Sequence, residues 1–92
     1  GFNEYARFSL DITVVPIIKE ISRLPVIVDV SHPAGKRSRV PPLACAALAA
    51  GAHGIMIEVH PSPDKALSDS KQQLPFKMLE ELVDQLRGAG LI

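Results

Sequence analysis

The chain has 92 residues with ten acidic and ten basic side chains, so its net charge is zero, and no basic stripe with interleaved aromatics points to nucleic acid as a partner. Hydrophobic residues make up 47% of it, yet no run approaches the roughly 20 apolar residues a membrane span needs, and the N-terminus lacks the pattern of a signal peptide. The single cysteine, Cys45, cannot form an internal disulfide, which predicts a reducing, cytoplasmic setting.

One small domain is the most this length allows, and such a chain buries only about 60–65% of the surface it exposes when unfolded. Residues 13–22 (TVVPIIKEIS) predict a helix with Val14, Ile17, Ile18 and Ile21 on one apolar face and Pro16 in the first turn, where its missing N–H does no harm. Two runs rich in β-branched residues follow, 25–30 (PVIVDV) and 54–59 (GIMIEV). Neither alternates apolar with polar positions, so both predict strands buried on two faces, as in a parallel sheet. Between them, 39–50 (RVPPLACAALAA) predicts a helix, with Ser38 as N-cap, Pro41 and Pro42 in the first turn and Gly51 at its end. A polar loop over 61–73 leads to a last helix over 75–87. There Leu79, Leu82, Val83 and Leu86 share a face and Gly88 is the stop.

Helix, strand, helix, strand, helix is the order of right-handed βαβ units on a parallel sheet. Two such strands alone would leave exposed edges and an unfilled core. The chain is therefore expected to be an α/β segment of a larger protein, with residues 1–92 forming part of one domain. The abrupt opening, GFNEYARFSLDI, points the same way.

Chemistry in such folds gathers at the C-terminal ends of the strands. The first strand ends in Asp29-Val30-Ser31-His32, the second in Glu58-Val59-His60, and the next loop carries Ser68-Asp69. His32, Glu58 and Asp69 meeting at one end of a sheet are candidates to hold a divalent metal, and imidazole with carboxylates suits Mn, Fe, Co or Zn. Each has a plainer alternative. His32 could be a hydrogen-bonded strand-end residue and Asp69 a turn or capping group. Glu58 is harder to dismiss, because an unpaired carboxylate inside an apolar run is costly. Cys45, amid alanines, reads as a small buried thiol, and His53 as a structural residue at the opposite end of the sheet. The cluster at 36–39 (KRSR) reads as solvated loop charge or as an attractor for phosphate.

Residues 24–36 (LPVIVDVSHPAGK), 54–61 (GIMIEVHP) and 65–72 (KALSDSKQ) resemble, in order and spacing, the closing motifs of the 3-deoxy-7-phosphoheptulonate synthases. The likeness is to the shorter bacterial and archaeal subtype, related to 3-deoxy-manno-octulosonate 8-phosphate synthase, and runs from about Arg7 to the last helix. It implies a (β/α)8 TIM barrel, of which this chain is the C-terminal segment: about the last two βα units plus a preceding helix. It also implies that His32 of D-x-S-H, Glu58 of E-V-H-P and Asp69 of A-L-S-D hold a divalent metal. The family's fourth ligand, a cysteine, is expected upstream of this chain, and Cys45 does not replace it. Ser70 departs from the family's S-D-G but leaves Asp69 in place. Asp69 and Ser31 are the residues of this chain expected to contact substrate.

The implied reaction joins phosphoenolpyruvate to erythrose 4-phosphate, the first step of the shikimate route to aromatic amino acids. C3 of phosphoenolpyruvate attacks the aldehyde, water adds to C2, and phosphate leaves with its C–O bond cleaved, while the metal polarises the aldehyde or activates the water. The implied enzyme is a cytoplasmic homo-oligomer, a tetramer, without nucleic-acid or membrane partners, and this chain alone is expected to be inactive. One rival is the octulosonate synthase, which uses arabinose 5-phosphate. Its D-A-T-H and S-D-G-P-N-M motifs differ from 29–32 (DVSH) and 68–73 (SDSKQQ) here. The other rival is a non-catalytic partial barrel acting in regulation or assembly, which retention of all three ligand residues argues against.

Overall fold

The computed structural model describes residues 10–67 and 70–92. The first helix, α1, spans Val14–Ile21 and opens where the Asp11 carboxylate accepts the Thr13 N–H at 3.1 Å. Its expected apolar face is not the one that packs. Val15 is the buried residue, while Val14, Ile17 and Ile21 are 43%, 47% and 79% exposed. Val14 and Ile18 of that stripe border a cleft shared with Val26 and Val28, while Ile17 and Ile21 stay exposed, so α1 docks mainly through its neighbouring edge.

Strands β1 (Ile27–Asp29) and β2 (Gly54–Met56) lie side by side and parallel, with Ile27 opposite Gly54 and Asp29 opposite Met56. The expected adjacency and direction hold, but both strands are shorter than the apolar runs that encode them. Hydrogen bonds from His53 and Gly54 to the Val26 carbonyl, and from Val30 to that of Met56, extend the contact slightly. Beyond Met56 the chain changes partner. Val59 forms a parallel bridge to Leu74, with Leu74 donating to the Glu58 carbonyl and accepting from the His60 N–H. Leu74 is fully buried, although it lies next to a stretch that reads as polar loop.

The second helix, α2 (Val40–Ala49), follows a 3-10 turn over Arg37–Arg39. Ser38, expected as N-cap, lies inside that turn, and the residue at the cap, Arg39, makes no side-chain capping bond. Pro41 and Pro42 explain why none is needed: they remove two of the N–H groups that a cap would serve. Gly51 closes α2 as expected, at φ +105, with the Ala52 N–H reaching the Ala47 carbonyl and the Gly51 N–H that of Leu48, a Schellman ending. The third helix, α3 (Phe76–Gly88), ends the same way but at Gly90, with φ +71. Gly88, the expected stop, is still helical.

A single buried cluster joins Val15 of α1, Val28 and Val30 of the first strand region, Val40, Ala44 and Ala47 of α2, and Leu82 and Leu86 of α3. Side chains alternate across a strand. Val28 and its register partner Ile55 belong to this core, whereas Ile27 and Met56 on the other face are 60% and 51% exposed. The helices thus cover one face of the sheet, and no described element covers the other, where apolar Ile27 and Met56 lie beside Asp29 at the strand end.

Candidate metal centre

Because β1 and β2 are parallel neighbours, the residues just past their C-terminal ends emerge together. His32 and Glu58 do so, with His32 Nε2 2.9 Å from Glu58 Oε1. The other ring nitrogen, Nδ1, is hydrogen-bonded to Asp29 Oδ2. The second oxygen of that carboxylate, Oδ1, accepts the backbone N–H groups of Ser31 at 2.9 Å and His32 at 3.2 Å. Partial burial pushes the Asp29 carboxyl up. The His32 ring and the two backbone donors outweigh it and hold the group below its ordinary value. Ser31 is fully buried, and its hydroxyl oxygen accepts the Glu58 N–H at 2.8 Å. The imidazole is half exposed and borders an open cleft of about 490 Å³ between α1 and β1, lined by Leu10, Val14, Ile18, Val28 and Asp29.

Imidazole and carboxylate at one rim, with the remote ring nitrogen anchored on a second carboxylate, is how a ligating histidine is usually held. The donor set therefore fits a divalent ion. Among the described residues no group of three or more His, Cys, Asp or Glu gathers around one point. Asp69, the third expected ligand, lies outside the described residues.

Comparison with known proteins gives the rim its context. Residues 1–89 match the DAHP synthetase I family. The chain belongs to that family. It is 54% identical to a phospho-2-dehydro-3-deoxyheptonate aldolase of Thermotoga maritima, covering 94% of this chain and 25% of that protein. It is 38% identical to a 2-dehydro-3-deoxyphosphooctonate aldolase of Syntrophobacter fumaroxidans, over 89% of this chain and 32% of the other. A solved structure of a truncated 3-deoxy-D-arabino-heptulosonate 7-phosphate synthase from Thermotoga maritima superposes with TM-score 0.84, covering 88% of this chain and 31% of that one. The chain thus spans about a quarter to a third of its relatives' length.

Within this DAHP synthetase I chain, two side-chain roles were not evident from the residues alone. Asp29 anchors the His32 ring, and Ser31, expected at the substrate, ties the backbone of Glu58 to the end of the neighbouring strand. The cluster at 36–39 is neither free loop charge nor an open phosphate site at its two arginines. Arg37 donates to Asp64 at 3.0 Å and to the Ser70 carbonyl at 2.7 Å, while its own N–H donates to the Lys71 carbonyl. Arg39 donates to the Ala34 carbonyl. Arg37 thereby fastens both flanks of the loop that carries Asp69. Cys45 is half-buried on α2, its sulfur 3.7 Å from Gln85 Nε2, and so less enclosed than its alanine-rich setting suggests. His53 accepts the Val26 N–H at the opposite end of the sheet, as expected.

Proposed function

We propose that this chain supplies the metal-holding rim of a (β/α)8-barrel 3-deoxy-7-phosphoheptulonate synthase. The observation that carries the proposal is the pairing of His32 with Glu58 across the C-terminal ends of adjacent parallel strands, in a chain of the DAHP synthetase I family. The bare apolar face of the sheet supports the barrel, since in that fold the inward side chains of further strands fill such a face. His32, through Nε2, and the Glu58 carboxylate would hold the ion together with Asp69, and Mn, Fe, Co and Zn all suit these donors. When bound, such an ion supplies Lewis-acid polarisation of the aldehyde or an activated water. The protein groups do the holding: Asp29 orients the ring, Ser31 fixes the Glu58 backbone, and Arg37 secures the loop ends.

The proposed reaction condenses phosphoenolpyruvate with erythrose 4-phosphate, releasing phosphate, in a cytoplasmic homo-oligomer. The experiment is to assay the complete protein with erythrose 4-phosphate and, separately, with arabinose 5-phosphate. Chelation should abolish activity and Mn(II) should restore it. Turnover that survives excess chelator would contradict the metal-holding role. Preference for arabinose 5-phosphate would favour the octulosonate reaction, which the octonate aldolase relatives represent at lower identity.

A further inference from the structure

We propose that Asp29 and Ser31 are positioning residues that set the two metal ligands of this rim, Asp29 acting on the His32 ring and Ser31 on the Glu58 backbone. The inference rests on the metal-holding role of His32 and Glu58.

Asp29 sits in the last position of β1, on the bare face of the sheet rather than in the core. Its Oδ1 is engaged by the N–H groups of Ser31 and His32, so the carboxylate is locked to the same turn that carries the ring. Oδ2 is left to face Nδ1. A carboxylate only accepts, so Oδ2 requires hydrogen on Nδ1; Glu58 Oε1 requires the same of Nε2 in this structure, and there a bound metal would take the place of that hydrogen. Asparagine could not do both jobs. With its oxygen on the backbone donors, its NH2 group would face Nδ1 and select the opposite form, with hydrogen on Nε2. Turned round, it would set donors against donors at Ser31 and His32.

Ser31 acts on the other ligand. The regular exchange between the strands ends where Val30 donates to the Met56 carbonyl. The next rung of a parallel ladder would run from the Glu58 N–H to the Val30 carbonyl. That N–H goes instead to the Ser31 hydroxyl oxygen at 2.8 Å. One buried side chain therefore sets how far the Glu58 backbone stands from the strand end that presents His32.

The test uses the complete protein, freed of metal, titrated with Mn(II) and examined with Co(II) by visible absorption. Asp29→Asn and Ser31→Ala should each weaken Mn(II) binding about 10- to 100-fold and alter the Co(II) bands. Ser31→Thr, which keeps the hydroxyl, should bind within about threefold of the parent and retain the parent spectrum. His32→Ala separates the two levels of the argument. If it binds Mn(II) as tightly as the parent, the metal-holding role itself fails, and this inference with it. If it loses Mn(II) while Asp29→Asn and Ser31→Ala keep parent affinity and spectra, the positioning role alone is overturned.

Discussion

Glu58 stands out in the sequence because a carboxylate inside the run GIMIEV demands a partner, and the structure provides one in His32. The same signal marks Asp29 inside PVIVDV, yet a motif reading centred on the histidine passes over it. Ser31 leaves no such trace, since a serine at a strand end looks the same whether it meets substrate or backbone. The roles of His32 and Cys45 can be set apart by substitution in the complete protein. His32→Ala should lower heptulosonate formation by about two orders of magnitude or more through lost metal. Cys45→Ala, at a half-buried site with one weak contact to Gln85, should leave turnover near the parent and cost about 1 kcal/mol in urea unfolding. Equal losses of activity would mean that the thiol takes part in the chemistry.

Elements were legible from their own apolar runs and misjudged in how those runs are covered, since Ile27 and Met56 leave one face of the sheet exposed. The two strands and α2, whose alanines and valines enter the core, lie where their residues predict. On α1 the apolar stripe is real, but only Val14 and Ile18 turn to the cleft beside β1 while Ile17 and Ile21 stay exposed, and periodicity cannot say which surface a chain leaves bare. The end of α3 shows a similar limit. Gly88 and Gly90 are both plausible stops, and only the backbone shows that Gly90 needs positive φ. A Cβ at Gly88 meets nothing within 4 Å, so Gly88→Ala should stabilise the protein by about 0.5 kcal/mol, whereas Gly90→Ala should destabilise it by about 1 kcal/mol. Thermal melts of the two variants should therefore move in opposite directions. The loop over 61–73 is polar in sequence, and nothing there foretells that Arg37 holds it. Arg37→Ala should cost about 1–2 kcal/mol, mainly through the Ser70 carbonyl it leaves without that donor. Asp64→Ala should cost no more than about 0.5 kcal/mol, because that side chain is 89% exposed. If the two variants unfold at the same urea concentration, the carbonyl contact contributes nothing beyond the ion pair.

At the scale of the molecule, helices lie on one side of a two-stranded sheet, with Ile27 and Met56 bare on the other. The order of elements in the sequence already asks for further strands. Their number is out of reach, because a strand's residues record that it is covered and not by what. Produced alone, the 92-residue chain should form no heptulosonate, and its bare apolar face should bind the dye ANS or drive self-association. A monomer that neither binds dye nor associates would show that the face is closed by some other rearrangement. The Leu74 bridge bears on a different kind of injury. Since Leu74 is bonded on both sides of Val59, the segment between His60 and Leu74 leaves and returns at one place. Cutting a thread between two points of the same knot does not release either end. Trypsin acting after the exposed Lys65 should thus yield two peptides that still elute as one particle in native buffer. They should part only when denaturant frees the buried leucine.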